Sequence, residues 1–191
     1  VENFEYEPDE VINTGLPRWD VLKDKSQGKR EILIMPTWRN WLDSVPDKDF
    51  EESDYFRHYM GLLNSERLNQ ILEKYDLEVN FYLHAKFQEY ADTFKSISKR
   101  IHLISFGEVA VNEMLMRCRM LITDYSSVCW DILYQDKPSL FYQFDIEKYN
   151  EAHGSYIDME TELFGDRAAT QEQLLDYLEE TVQNDFHLKP E

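Results

Sequence analysis

No stretch of this chain approaches the roughly 20 consecutive apolar residues that a membrane-spanning helix needs, and the acidic opening, residues 1–10, has neither the basic nor the apolar part of an export signal. These two absences predict a protein of the cytoplasm, at most peripheral to the cytoplasmic face of a membrane. Cysteine is scarce too. Cys118 and Cys129 stand in apolar company with no CxxC and no Cys/His cluster, so neither a disulfide framework nor a metal site is expected, and no cofactor is implied. Positive charge is the third shortage: 20 Lys and Arg face 38 Asp and Glu, a net charge of -18. A field of that sign repels nucleic acid and anionic membranes, so membrane contact would be indirect and an anionic ligand must be held by local geometry.

What is present is a core. Of 191 residues 42% are hydrophobic and 14% aromatic, which excludes general disorder and suits one domain of ordinary size. Apolar runs of strand length at 31–35, 79–83, 101–104, 120–123 and 139–142 alternate with helical patterns at 65–75, 86–94, 109–117, 127–134 and 171–182. That alternation predicts an α/β fold, a doubly wound parallel sheet built from βαβ units. Residues 1–30 lie outside the rhythm and read as a lead-in: a short strand candidate at 10–13, a turn at Thr14-Gly15-Leu16-Pro17-Arg18, and a helical pattern at 19–22. Residues 41–59, acidic and aromatic without a clean period, read as a long βα loop.

Ligands of open α/β sheets bind beyond the carboxyl ends of the strands. The residues there are Pro36-Thr37-Trp38-Arg39, His84-Ala85-Lys86, Ser105-Phe106-Gly107 and Asp124-Tyr125-Ser126-Ser127, and neither GxGxxG nor GxxxxGK[ST] occurs. In the fourth group a buried strand turns directly into a helix with two hydroxyls at the junction. Free backbone N–H groups, the positive end of the helix dipole and the hydroxyls of Ser126 and Ser127 would cradle a phosphate without a basic side chain. The plainer alternative is that one serine only caps the helix. Asp131, four positions after Ser127, shares its helix face and would accept hydrogen bonds from ligand hydroxyls; the alternative is a solvated helix Asp. His84, at a strand end with Tyr82 on the same side, would bond a phosphate oxygen or move a proton, against the commoner structural role. Arg18 and Arg39 offer a bidentate fork to phosphate, with Arg39 the better candidate for an exposed ion pair. His58, His102, His153 and His187 are assigned no role.

Taken together, Thr14-Gly-Leu-Pro-Arg18, Ile34-Met-Pro-Thr-Trp-Arg39, Tyr82-Leu-His84, Leu121-Ile-Thr-Asp-Tyr-Ser-Ser127 with Asp131, and Lys137-Pro-Ser-Leu-Phe-Tyr142 with Asp145 and Tyr149 resemble the CDP-glycerol glycerophosphotransferase family of teichoic-acid synthesis. The resemblance implies the Rossmann-like C-terminal half of a GT-B transferase, with 31–191 as the domain binding the CDP-activated donor and 1–30 as the end of a preceding acceptor half. It implies donor contacts from Arg18, Thr37, Trp38, Tyr82, Leu83, His84, Ser126, Ser127 and Asp131, with His84 catalytic. The implied donor is CDP-glycerol or CDP-ribitol and the acceptor a glycerophosphate- or polyol-bearing polymer of the cell wall or capsule. The family's other catalytic histidine belongs to the acceptor half, so this chain alone is expected to bind donor and turn over slowly, the cleft being completed by that half or by a partner chain. One departure is local: Gly154-Ser-Tyr-Ile-Asp158 runs into Met159-Glu-Thr-Glu-Leu-Phe-Gly-Asp166 rather than into the family's Pro-Gly-Pro-like turn. A nucleotide-sugar glycosyltransferase half and a non-catalytic nucleotide-binding module are the rival readings, because fold does not fix function.

Overall fold

In the computed structural model, which describes residues 5–189, the strands are β1 (Glu31–Ile34), β2 (Glu78–Tyr82), β3 (Ile101–Ile104), β4 (Met120–Thr123), β5 (Ser139–Tyr142) and β6 (Arg167–Ala168). They form one sheet in the order β3-β2-β1-β4-β5-β6, and every pairing is parallel. This is the doubly wound, Rossmann-type order. The winding reverses between β1 and β4, and at such a switch point the connections leave in opposite directions and open a crevice at the carboxyl edge.

Alternate side chains serve two cores, which is why the strands read as continuous apolar runs rather than alternating ones. Ile32, Ile34, Val79, Phe81 and Ile122 face α2 (Asp54–Leu63), α3 (Glu66–Lys74) and α7 (Gln171–Gln183). Leu33, Tyr82, Leu121 and Phe141 face α4 (Val111–Arg117) and α5 (Cys129–Leu133). Both cysteines are buried beside these strands, and burial pushes each thiol up to about 12, so neither is a reactive group.

Three local expectations need correction. Residues 41–59 are no long loop: they hold α1 (Asp47–Glu51) and the first half of α2. Ser53 caps α2 by accepting the Phe56 N–H, and Phe50, Tyr55 and Tyr59 are buried, Phe50 stacking on Tyr90 at 3.9 Å. Their spacing of five and then four residues straddles the break between two helices and so shows no single period. The strand candidate at 10–13 is not a strand, because a 3-10 turn at Pro8–Glu10 precedes an exposed run beside which no strand lies among the described residues. The pattern at 86–94 forms a 3-10 helix, Ala85–Thr93. Two elements went unread, α6 (Ile146–Ala152) and the two-residue β6, the latter too short to carry a period.

The lead-in is laced to the domain. The Lys25 N–H donates to the Met116 carbonyl at 2.9 Å, and buried Lys137 bonds the Leu115 and Met116 carbonyls while pairing with Asp24 at 2.9 Å. The orphan carbonyls at the end of α4 are thus satisfied by the lead-in and one lysine.

Candidate functional site

At the switch point the β1–β4 ladder continues past both strands through side chains. Thr123 Oγ1 donates to the Met35 carbonyl at 2.7 Å, and Asp124 Oδ1 accepts the Thr37 N–H at 2.8 Å and the Tyr125 N–H at 2.7 Å. Beneath these contacts lies Arg39. It was expected to be exposed, and its side chain is fully buried. Its Nη2 pairs with Asp124 at 2.9 Å, its Nε donates to Asp145 at 2.8 Å, and its Nη1 donates to the Thr37 carbonyl at 2.6 Å. The Tyr59 hydroxyl donates to Asp124 and the Tyr125 hydroxyl to Asp145, so a buried carboxylate and a largely covered one share one guanidinium, each also accepting a hydroxyl. Burial works against the Arg39 charge, but Asp124 first and then Asp145 more than offset it, holding its pKa well above the ordinary value. Arg39 therefore offers no fork to a ligand. The rings of Tyr125, Tyr55 and Tyr149 stand 4.9, 5.2 and 5.4 Å from its carbon and seal the group.

Above this sealed layer Ser126 and Ser127 come to the surface, with Ser127 exposed. The helix expected from residue 127 is shorter, five residues beginning at Cys129, and its N-cap is Val128 with no side-chain cap. Neither serine is a helix cap, and so short a helix contributes little dipole. Ser126 Oγ accepts only a long 3.4 Å contact from the Val128 N–H. Both serines line a cavity of about 240 Å³ whose other walls include Trp130, Phe141, Ile157, Met159 and Leu163. An apolar pocket with two hydroxyls at its rim is the usual composition of a small-molecule site.

Across the crevice His84 is half-buried, and its Nδ1 accepts the Lys86 N–H at 3.2 Å, which leaves Nε2 to carry the proton of the neutral ring. Burial, with Lys86 adding to it, lowers its pKa. Trp38 is stacked against it at 6.2 Å. Thr37 lies between strand and crevice with its Oγ1 buried and unpartnered among the described residues. Tyr82 and Leu83 are placed differently from expectation: both are buried, in the two opposite cores, and only their backbone reaches the edge. Asp131 is buried rather than solvated. Its Oδ1 takes the Arg18 Nε at 2.6 Å and the Trp19 Nε1 at 2.7 Å, tying the lead-in to the first turn of α5. Arg18, half exposed, keeps both terminal nitrogens without a hydrogen bond among the described residues.

A sheet with this switch point and these motifs can be compared with known proteins. The model of the family described as CDP-glycerol:poly(glycerophosphate) glycerophosphotransferase matches residues 1–189. The chain belongs to this family. The minor teichoic acid biosynthesis protein GgaB of Bacillus subtilis (strain 168) is 32% identical over 187 residues, covering 91% of this chain and 20% of that protein. The teichoic acid glycerol-phosphate transferase of Staphylococcus aureus (strain NCTC 8325 / PS 47) is 26% identical, over 93% of this chain and 46% of its own length. The H444N variant of the wall teichoic acid polymerase TagF superposes with a TM-score of 0.68 at 23% identity, covering 96% of this chain and 46% of that one. At that identity the superposition shows the fold, which is the expected α/β one. The chain spans under half the length of these relatives.

The glycerophosphotransferase motifs thus divide by direction. In Thr37-Trp38-Arg39 and Asp124-Tyr125-Ser126-Ser127, Arg39, Asp124 and Tyr125 go down into the sealed layer, whereas Trp38 and the serines face the crevice. Sequence reasoning gave Asp124, Tyr125 and Asp145 no role. The signal was available, since an Arg so soon after a buried strand invites a search for a buried carboxylate, and Asp124 directly follows the neighbouring strand. His153 was also passed over; its ring lies edge-on to Trp38 at 5.9 Å.

Proposed function

We propose that this chain is the donor-binding part of a transferase that moves a polyol phosphate, glycerol phosphate in the first instance, from a CDP-activated donor to an acceptor hydroxyl of a teichoic-acid-type polymer. The observation that carries the reading is the placement of Ser126 and Ser127 at the mouth of an apolar cavity, on the crevice of a 3-2-1-4-5-6 sheet, in a chain of the glycerophosphotransferase family. The cavity takes the nucleotide end of the donor, and the serine hydroxyls with nearby backbone N–H groups hold the pyrophosphate. Arg18 adds a guanidinium from the lead-in. The acceptor oxygen attacks the β-phosphorus, the bond to the bridging oxygen breaks, and CMP leaves with the electron pair. His84, neutral with its proton on Nε2, donates a hydrogen bond to the phosphate oxygens as charge shifts toward the leaving group. Positioning and charge stabilisation carry such a reaction rather than covalent catalysis. Among the described residues no helix is long and apolar enough to cross a membrane. A place at the cytoplasmic membrane face, with the acceptor chain, belongs to the same proposal.

Calorimetry with CDP-glycerol, CDP-ribitol and UDP-N-acetylglucosamine tests it. The CDP-polyols bind more tightly; equal or tighter binding of the UDP-sugar returns the glycosyltransferase reading. Replacing Ser126 and Ser127 together by Ala removes two hydroxyl bonds to a charged group, each worth about 1.5–3 kcal/mol before non-additivity. Donor affinity then falls more than about tenfold while the melting temperature stays close to that of the parent, since neither serine caps α5. Unchanged affinity ends the cradle assignment.

A further inference from the structure

In a chain of net charge -18, cations with no carboxylate partner, or with only a distant one, are informative. Lys148, on α6, makes no ion pair among the described residues; its Nζ sits 4.8 Å from the centre of the Trp41 ring. Lys86, beside His84, lies 5.4 Å from the centre of the Trp38 ring and reaches only Asp43, at 3.7 Å. His153, directly after α6, joins the two pairs: its imidazole is 5.9 Å from Trp38 and 6.2 Å from Trp41, and on a third side it stacks on Tyr149 at 4.8 Å. Lys86, Trp38, His153, Trp41 and Lys148 therefore form one unbroken row over the carboxyl edge of the sheet, starting at His84. An indole face holds an ammonium without neutralising it, so both lysines keep their charge available to a ligand.

The row is bordered by acids. Besides Asp43, a cavity of about 420 Å³ beside Trp41 and Lys148 has Asp49, Glu52, Asp54 and Asp145 in its lining, with Arg57 as its other cation. Poly(glycerol phosphate) and single-stranded RNA both carry one charge per phosphodiester with free hydroxyls between, so these acids do not separate the two; the polyol-phosphate reading selects the first, and an oligonucleotide serves as the control. A chain that alternates phosphodiesters with free hydroxyls meets ammonium groups for the first and carboxylate acceptors for the second. We propose that this row is the binding site for the phosphodiester chain of the acceptor, with His153 as the residue that sets the two lysine–indole pairs side by side. The inference rests on the reading of the chain as a polyol-phosphate transferase and adds to it the acceptor track and its direction, away from His84 toward α6.

The test uses the intact chain and a synthetic hexamer of glycerol 3-phosphate, with uridine hexanucleotide as control and CDP-glycerol binding as the check on folding. The hexamer binds, and the double substitution K86Q/K148Q weakens it by about tenfold or more with a shallower salt dependence. K148Q alone, at the end of the row away from His84, weakens the hexamer in the same direction and leaves CDP-glycerol affinity unchanged. His153→Ala weakens the hexamer in the same way, and His153→Arg restores it, which loss of packing alone does not predict. The inference is overturned if the hexamer fails to bind, if K86Q/K148Q leaves its affinity unchanged, or if the hexanucleotide binds equally well with the same lysine dependence. Failure of CDP-glycerol to bind, with lysine-dependent hexamer binding intact, overturns the donor reading instead.

Discussion

The layer around Arg39 and the rim around Ser126 are built from the same two sequence segments, yet they are opposites. In the layer a guanidinium and Asp124 are dry and fully engaged, with Asp145 closing the far side, and Asp124 alone receives two backbone N–H groups, a tyrosine hydroxyl and a cation. At the rim, hydroxyls, an imidazole and two lysines have few partners or none. Free energy put into the layer does not serve binding directly; it fixes the backbone from which Trp38, Ser126 and Ser127 project. The comparison teaches that the specificity of the DYSS motif comes from two tasks carried by alternate residues, and that the residue types alone do not say which is which.

The largest effect expected is at Arg39. Replacing it by Met leaves buried Asp124, with Asp145 beside it, without a cation, and breaking a buried pair in this way costs about 3–5 kcal/mol. A urea denaturation midpoint reads the loss, and a shift smaller than that of an ordinary surface substitution sinks the account of the layer. Arg39→Lys sharpens the comparison. It keeps the charge but cannot reach Asp124, Asp145 and the Thr37 carbonyl together, so it recovers only part of the stability.

Much of the fold was legible because five strands lie in apolar runs of the right length, and the helix after Ser65 begins with a capping residue and repeats its apolar face. What was missed had physical reasons. The pair α1 and α2 carries aromatic anchors across a helix break, β6 is set by its neighbour β5 rather than by its own sequence, and α5 loses its first turn because Ser126 and Ser127 stay out of the helix. At the site, Ser126, Ser127, His84 and Trp38 were legible from their place after strands. Arg39 was misread because its burial depends on Asp124 and Asp145, distant in sequence, and the pairing of Asp131 with Arg18 and Trp19 was not foreseen because those partners sit in the lead-in.

An intermediate effect is expected at Asp131. Asp131→Asn keeps an acceptor for the Trp19 N–H but loses the charge opposite Arg18, costing about 1 kcal/mol given that Arg18 is half exposed. Hydrogen exchange of the Trp19 and Leu22 amides, which bond the Leu16 and Trp19 carbonyls, should accelerate while the sheet stays protected. If Asp131 instead served a ligand directly, the unliganded exchange pattern would not change. Trp19→Ala removes its stack on Tyr134, 4.6 Å away, and gives the same local acceleration without touching the carboxylate.

The smallest effect sets the layer against the rim by pH. His58 is half-buried, stacked on Phe144 at 3.9 Å, with Nδ1 2.7 Å from the Tyr142 hydroxyl. Burial first lowers its pKa, and Arg57 adds to this, while Asp54 and Asp145 oppose. His84 at the rim is shifted the same way, by burial and Lys86, with Asp124 opposing. For both, the folded state binds its proton less readily than the unfolded chain, whose histidines titrate near about 6.5. Below that pH the unfolded state takes up more protons, so their contribution is intact above about 6.5 and is lost as pH falls through the lowered folded values. Melting temperatures between pH 7.5 and 5 should therefore decline less steeply in His58→Gln and in His84→Gln than in the parent chain. Saturating CDP-glycerol separates the two. An anionic pyrophosphate beside His84 favours its charged form and cancels its share of the slope, whereas His58, packed behind the sheet's carboxyl edge on Phe144, keeps its own. If the donor flattens the slope in His84→Gln as much as in the parent, His84 does not face the phosphates.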